Sequence, residues 1–239
     1  MQLFYQPQLT SESTSVGFDK DESRHITRVL RKNTGDQIHI TNGKGLMFTA
    51  ELGLVEPKHC EAFLTKVEKI PALPYRLHMA VAPTKSNDRF EWFLEKATEI
   101  GVTEITPLLC NHSERKQINW ERYNKILISA MKQSLQAFLP QLNPLTTFKD
   151  FLDSQTDQKA VKALAHCQDG EKIPLKNLIN ANSEAIDYII SIGPEGDFDP
   201  VEIQSAIERD FTAVSLGEQR LRTETAAIAA CHSFALLRT

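Results

Sequence analysis

Between residues 75 and 216 the chain alternates short apolar runs with longer segments whose apolar positions recur every three or four residues. That alternation is the pattern of β–α–β units and a parallel sheet. The expected strands are Tyr75–Ala82, where Leu77, Met79 and Val81 alternate with other residues, then Thr103–Leu108, Lys159–His166, Ile186–Ser191 and Phe211–Leu216. A helix is expected over Arg89–Ile100, with Phe90, Phe93, Leu94, Ala97 and Ile100 on its core face and Gly101 just past its end. Further helices are expected from Trp120 to about Phe138, closed by Pro140, over Pro200–Ile207, and over Thr223–Leu237. The last is rich in alanine and apolar nearly all round, so it must be buried, either as a core helix or at a subunit interface.

The first seventy residues follow a different pattern, that of a small β-rich unit, closed or half-closed. Leu3-Phe4-Tyr5 starts a strand, Gln37–Thr41 is a second, and Leu46–Leu52 and Cys60–Val67 complete the set. Asn42-Gly43-Lys44-Gly45 has hairpin chemistry. One amphipathic helix is expected over Asp21–Lys32, with Asp21 as N-cap, ended by Asn33-Thr34-Gly35. On it Arg24, Arg28 and Arg31 recur at i, i+4 and i+7 with Lys32 beside them. Such a stripe is either a solvated face or a set of phosphate contacts, which would place RNA without reading its sequence. Ile70-Pro71-Ala72-Leu73-Pro74 is a stiff linker. The expected domains are therefore 1–71 and 74–239.

Composition narrows the function classes. The 239 residues are 41% hydrophobic and 24% charged, which suits a globular chain of one or two domains. Net charge is −4, so a nucleic-acid partner requires a local basic patch. No apolar run is long enough to cross a bilayer, and MQLFYQPQL is no signal peptide; the expected location is the cytoplasm, with no membrane partner. Cys60, Cys110, Cys167 and Cys231 are scattered and form no C-x-x-C pair, so no metal is expected.

The stretch with chemistry is Ile192-Gly193-Pro194-Glu195-Gly196-Asp197-Phe198, a glycine turn between a buried strand and a helix start. Such turns bind small polar ligands, because the backbone comes close and free N–H groups face outward. A second segment, Ser215-Leu216-Gly217-Glu218-Gln219-Arg220-Leu221-Arg222-Thr223-Glu224-Thr225-Ala226, strengthens the signal.

These two segments together resemble the signature of the ribosomal RNA small subunit methyltransferase E family, which methylates N3 of a uridine in 16S ribosomal RNA and belongs to the SPOUT superfamily. His25–Arg31 followed by Gly35-Asp36 resembles the family's N-terminal motif, and Lys96-Ala97-Thr98-Glu99-Ile100-Gly101-Val102 resembles one of its helices. Leu164-Ala165-His166 sits where the family has a strand ending near the cofactor. The resemblance implies an α/β chain with an N-terminal PUA-like β-barrel, a C-terminal SPOUT domain with a deep trefoil knot, a homodimer, and S-adenosylmethionine as methyl donor. Its implied partner is 16S ribosomal RNA in the small ribosomal subunit. Two departures stand out: Asp197 replaces the second glycine of the turn, and Lys132 and Gln136 replace a Glu and an Arg around Gln133.

The implied chemistry assigns roles. Uracil N3 becomes nucleophilic only as its proton leaves and charge spreads onto O2 and O4, so the site needs a base or a stabilising cation. Arg222 is the expected cation; its competing role is a salt bridge to Glu195 or Glu224. Glu195 is expected to orient the loop by accepting backbone N–H bonds. The cofactor residues are Leu164, His166, Ile192, Gly193, Pro194, Gly196, Leu216, Gly217, Leu221 and Thr223, with Leu216 and Leu221 as apolar walls. RNA contact falls to Arg24, Arg28, Arg31 and Lys32. The competing function is a non-catalytic RNA-binding assembly factor with a decayed cofactor site. A third reading, a phosphate-ligand hydrolase, calls for a Walker lysine or clustered metal ligands, and the chain has neither.

Overall fold

The computed structural model describes residues 2–155 and 159–238. By packing it divides into two units, one made of residues 1–72 and 131–139, the other of residues 73–130 and 140–239.

The first unit is a mixed five-stranded sheet in the order β1-β3-β4-β5-β2. Its strands are β1 (Leu3–Tyr5), β2 (Ser15–Phe18), β3 (Gln37–Thr41), β4 (Leu46–Glu56) and β5 (His59–Lys69). β1 runs parallel to β3 and the other neighbours are antiparallel. β4 and β5 are longer than expected, and their register shifts at Thr49/Ala50 and Leu52/Leu54 bend the ribbon so that the sheet curls. β1 and β2 are its two edges, so among the described residues hydrogen bonding does not close it into the expected barrel. Phe4, Phe18, Ile26, Ile38, Ile40, Phe48 and Leu52 fill the concave side. The β3–β4 turn is fixed by Asn42, whose Oδ1 accepts the N–H groups of Lys44 at 2.9 Å and Leu46 at 3.1 Å.

The expected helix over 21–32 is corrected in three respects. Its N-cap is Asp19, which accepts from Asp21 and Glu22, and α1 covers only Lys20–Arg24. A π-helical turn, His25–Val29, follows. The extra residue of that turn shifts the register, and Arg31 leaves the helix with φ of 52°. Arg24 and Arg28 therefore stay on helical backbone while Arg31 and Lys32 stand on the turn beyond it. Val29 is 65% exposed.

Residues 131–139 join this unit through main-chain bonds: Leu139 N–H donates to Gly43 O at 2.9 Å and Gly45 N–H to Ala137 O at 2.9 Å. Lys132 pairs with Glu22 at 2.8 Å and lies over the Phe4 ring. Lys132, one of the expected departures, thus has a local partner.

The second unit is a parallel sheet in the order β11-β13-β10-β12-β6-β7-β8, with β9 pairing on β7. The strands are β6 (Arg76–Val81), β7 (Glu104–Leu109), β8 (Gln141–Leu142), β9 (Thr146–Thr147), β10 (Val161–Ala165), β11 (Ile173–Pro174), β12 (Asp187–Ile192) and β13 (Thr212–Ser215). Every pairing is parallel; β8 and β9 lie one after the other along β7, joined by residues 143–145. The helices are α2 (Asn87–Ile100), α3 (Trp120–Gln133), α4 (Phe148–Ser154), α5 (Leu175–Ala181), α6 (Pro200–Ile207) and α7 (Thr223–Arg238). α3 stops five residues before the expected Phe138, with Leu135 at φ of 58°.

Alternation along each strand assigns the two faces. Ala80, Leu164 and Ile189 meet Phe148, Phe151, Phe198 and Phe211 on one side. On the other, Phe234 of α7 packs edge-on to Tyr75 and Tyr188, with ring centroids 4.9 and 4.6 Å away. α7 is a core helix along Ala227, Ala230, Cys231 and Phe234, while Leu236 and Leu237 stay exposed. α6 starts with a capping box, Asp199 with Glu202, and Pro200 in the first turn.

Candidate active site

The carboxyl ends of β10, β12 and β13 are adjacent in the parallel sheet, and a cavity of about 740 Å³ opens beyond them. Three segments wall it: residues 165–168 after β10, residues 192–197 after β12, and residues 214–223 between β13 and α7. Strand ends of a parallel sheet leave backbone groups unpaired, which is why ligands collect there. The size suits a nucleoside-bearing ligand.

Two glycines give the walls their shape. A Cβ at Gly193 would stand 2.9 Å from the Phe198 ring and 3.2 Å from its backbone nitrogen, so the turn closes only over a bare Cα. Gly217 has φ of 130°, which L side chains rarely adopt. The second and third segments are tied together by Thr223, whose buried hydroxyl donates to Gly193 O at 3.1 Å.

Asp197, where the resemblance leads one to expect a glycine, has φ of 67°. Aspartate tolerates this left-handed conformation better than most residues. Its Oδ2 accepts the Cys167 N–H at 2.9 Å, and its carbonyl lies 3.2 Å from His112 Nδ1. The side chain therefore joins the first two walls. Asp197→Ala, which keeps a Cβ in that conformation and loses the tie, is expected to cost about 1–2 kcal/mol. Asp197→Gly should cost less, and urea denaturation of the two variants measures the difference.

His166 lines the cavity, and its buried Nδ1 has no partner. Burial holds its pKa below the usual histidine value, and the Lys172 charge pushes the same way. Both effects favour the neutral ring, whose buried Nδ1 makes no hydrogen bond among the described residues. Arg222 lines the cavity on its exposed third wall. Among the described residues no ion pair involves it: Glu224 faces Arg89 at 3.8 Å, and Glu195 Oε1 accepts the Lys85 N–H at 2.8 Å. Lys172, Glu218 and Arg220 also line the cavity.

Of the residues singled out in the sequence, His166, Ile192, Gly193, Pro194, Glu195, Leu216, Gly217, Leu221, Arg222 and Thr223 converge on this cavity. Leu164 and Gly196 are not among its lining residues. Leu164 is fully buried on the α4 side of the sheet. Gly196 backs onto His112, whose Cβ would stand 3.0 Å from a Cβ placed there. Sequence reading missed Cys167, Gln168 and Lys172, which follow β10 in a loop with no periodic pattern. It also missed Ser113-Glu114-Arg115, whose only signal is a polar cluster after an apolar strand. Among the described residues no three His, Cys, Asp or Glu side chains group as metal ligands.

Comparison with known proteins agrees with this architecture. An RNA methyltransferase domain family matches residues 71–235, and an RNA methyltransferase PUA domain family matches residues 18–65. The chain is therefore an RNA methyltransferase by class. It is 32% identical over 223 residues to a ribosomal RNA small subunit methyltransferase E of Buchnera aphidicola, covering 89% of this chain and 85% of that one. A crystal structure of a probable rRNA-methyltransferase from Porphyromonas gingivalis has 38% identity and a TM-score of 0.88, covering 100% of this chain and 98% of that one. A ribosomal RNA small subunit methyltransferase E from Neisseria gonorrhoeae, bound to S-adenosyl methionine, has 29% identity and a TM-score of 0.86, covering 99% and 98%. The chain belongs to the ribosomal RNA small subunit methyltransferase E family.

Proposed function

We propose that the chain methylates N3 of a uridine in 16S ribosomal RNA, using S-adenosylmethionine held at the ends of β10, β12 and β13. The observation that carries this is the cavity itself: three returning segments wall it, an arginine with no ion-pair partner among the described residues faces it, and an unpartnered buried nitrogen lines it. Those features fit the donor. A nucleoside needs close backbone approach, supplied at Gly193 and Gly217, and polar side chains such as His166 and Gln168, which line the cavity. A sulfonium and an ammonium group suit a cavity lined by Glu195, Asp197 and Glu218. Leu216 and Leu221 would cover apolar surface. Bound donor would supply a methyl group on a positively charged sulfur.

The protein's part is orientation, exclusion of water and management of charge. Arg222 would stabilise the negative charge that develops on the uracil oxygens as the N3 proton leaves. Glu195 would hold its loop through Lys85. The non-catalytic alternative would leave the cavity's shape and the position of Arg222 without purpose.

In this reading Arg24, Arg28, Arg31 and Lys32 bind RNA phosphates, and the unit containing residues 1–71 is an RNA-binding domain of the PUA-like barrel type. Residues 74–239 carry donor binding, catalysis and pairing into a homodimer. The SPOUT knot belongs to the same proposal. Work in the cytoplasm is part of it as well; among the described residues no helix is long and apolar enough to cross a membrane.

Calorimetric titration with S-adenosylmethionine tests the donor. Stoichiometric binding is expected, and no heat of binding would refute the enzyme reading. Mass mapping of 16S RNA from a strain lacking the gene is expected to show one uridine that has lost a methyl group.

A further inference from the structure

Residues 110–115 line no part of the cavity, yet they grip the segment that does. The loop is anchored at its base: Cys110 N–H donates to Ser113 Oγ at 2.9 Å, and Asn111 N–H donates to Glu202 Oε1 at 2.9 Å. From there His112 reaches the cavity turn. Its Nδ1 lies 3.2 Å from Asp197 O, its Nε2 lies 3.7 Å from Asp199, and its Cβ fills the space beside Gly196.

At the other end of the loop Arg115 turns toward the connection between β6 and α2. Nε donates to Thr84 O at 2.9 Å and Nη2 donates to Lys85 O at 2.7 Å. The planar guanidinium spans two successive carbonyls, a geometry that a point-charge ammonium does not reproduce. Those carbonyls lie just before α2, whose N-cap Ser86 provides no side-chain hydrogen bond. The Lys85 N–H in turn donates to Glu195 Oε1 at 2.8 Å. Residue 85 is thus held at both ends, its carbonyl by Arg115 and its N–H by the carboxylate on the cavity wall.

We infer that Arg115 is a positioning residue for the donor site: through residue 85 it fixes Glu195, and with it the conformation of the 193–197 turn. This rests on the donor-binding reading of the cavity. Arg115 does not line the cavity, and its effect passes through main-chain groups. An arginine that merely stabilised the fold would act independently of Glu195. A relay through one residue instead makes the two depend on each other.

The test uses the full chain with Arg115→Ala, Arg115→Lys, Glu195→Ala and the double alanine variant, each checked for an unchanged melting temperature. Calorimetric titration with S-adenosylmethionine is expected to show about tenfold weaker binding for each single alanine variant. The double variant should lose little more than the worse single one. Arg115→Lys should fall between wild type and Arg115→Ala, and it serves as the main variant where the alanine change impairs folding. Wild-type affinity in both Arg115 variants, or fully additive losses in the double variant, overturns the inference. Amide hydrogen exchange on the ligand-free chain reads the relay without the donor. Arg115→Ala or Arg115→Lys is expected to speed exchange at Lys85 and across 195–197. Unchanged exchange there overturns the clamp even where the donor binds; absent donor binding in wild type refutes the methyltransferase reading and leaves the exchange result to decide the clamp.

Discussion

Arg222→Ala is expected to lower the methylation rate by roughly 100- to 1000-fold, the usual loss when a preorganised charge-stabilising group is removed from a reacting centre. The fold should survive. The Arg222 side chain is exposed and has no ion pair among the described residues, and its carbonyl still accepts the Ala226 N–H at 2.7 Å to start α7. Affinity for S-adenosylmethionine should change far less than turnover, because the cation serves charge that exists only as the base loses its proton. Single-turnover rates at saturating donor, with calorimetry alongside, separate the two. Normal turnover would remove Arg222 from its role. Arg222→Lys should recover part of the rate, since a positive charge remains without the planar fork.

Reversing two charges in the first unit, Arg24→Glu with Arg28→Glu, is expected to weaken RNA binding by at least about tenfold and to lower the salt-dependence slope by about two, one for each phosphate no longer neutralised. Both side chains are exposed and neither forms an ion pair among the described residues, so stability should hold. Because the π-helical turn takes Arg31 off the helix, reversing Arg31 alone should act independently of the other two. Filter binding at several salt concentrations decides this. Unchanged affinity of the double variant at moderate salt would leave the basic residues as a solvated face.

What could be read from the sequence divides along physical lines. β12 was legible because a strand buried on both faces is a continuous apolar run, β6 because Leu77, Met79 and Val81 alternate, and α2 because Phe90, Phe93, Leu94 and Ala97 recur on one face. The two-residue strands β8, β9 and β11 carry no periodicity; each exists only because a neighbour is in register. α4 had a readable start, Thr147 capping Asp150, in a stretch too short for a clear apolar face. The π-helical turn at 25–29 and the early end of α3 were hidden, because a helix-compatible sequence does not reveal where tertiary contacts change its register. The glycine turn was visible as a motif. The function of its odd member, Asp197, was not, since the Cys167 N–H it accepts lies thirty residues away in the chain.

The order β11-β13-β10 has a consequence for how the molecule is made. β13 is translated after both of its neighbours, yet it lies between them. A ribosome-bound chain that has released residues up to 181 holds β10 and β11 with nothing to join them. β12, the second and third cavity walls and α7 are still unsynthesised at that point. If the proposed site holds the donor, binding is gated by synthesis of the last quarter of the chain, and the late entry of a central strand makes that step dependent on contacts far apart in sequence, which slows it. A nascent or C-terminally clipped chain would carry most of the sheet and no competent site.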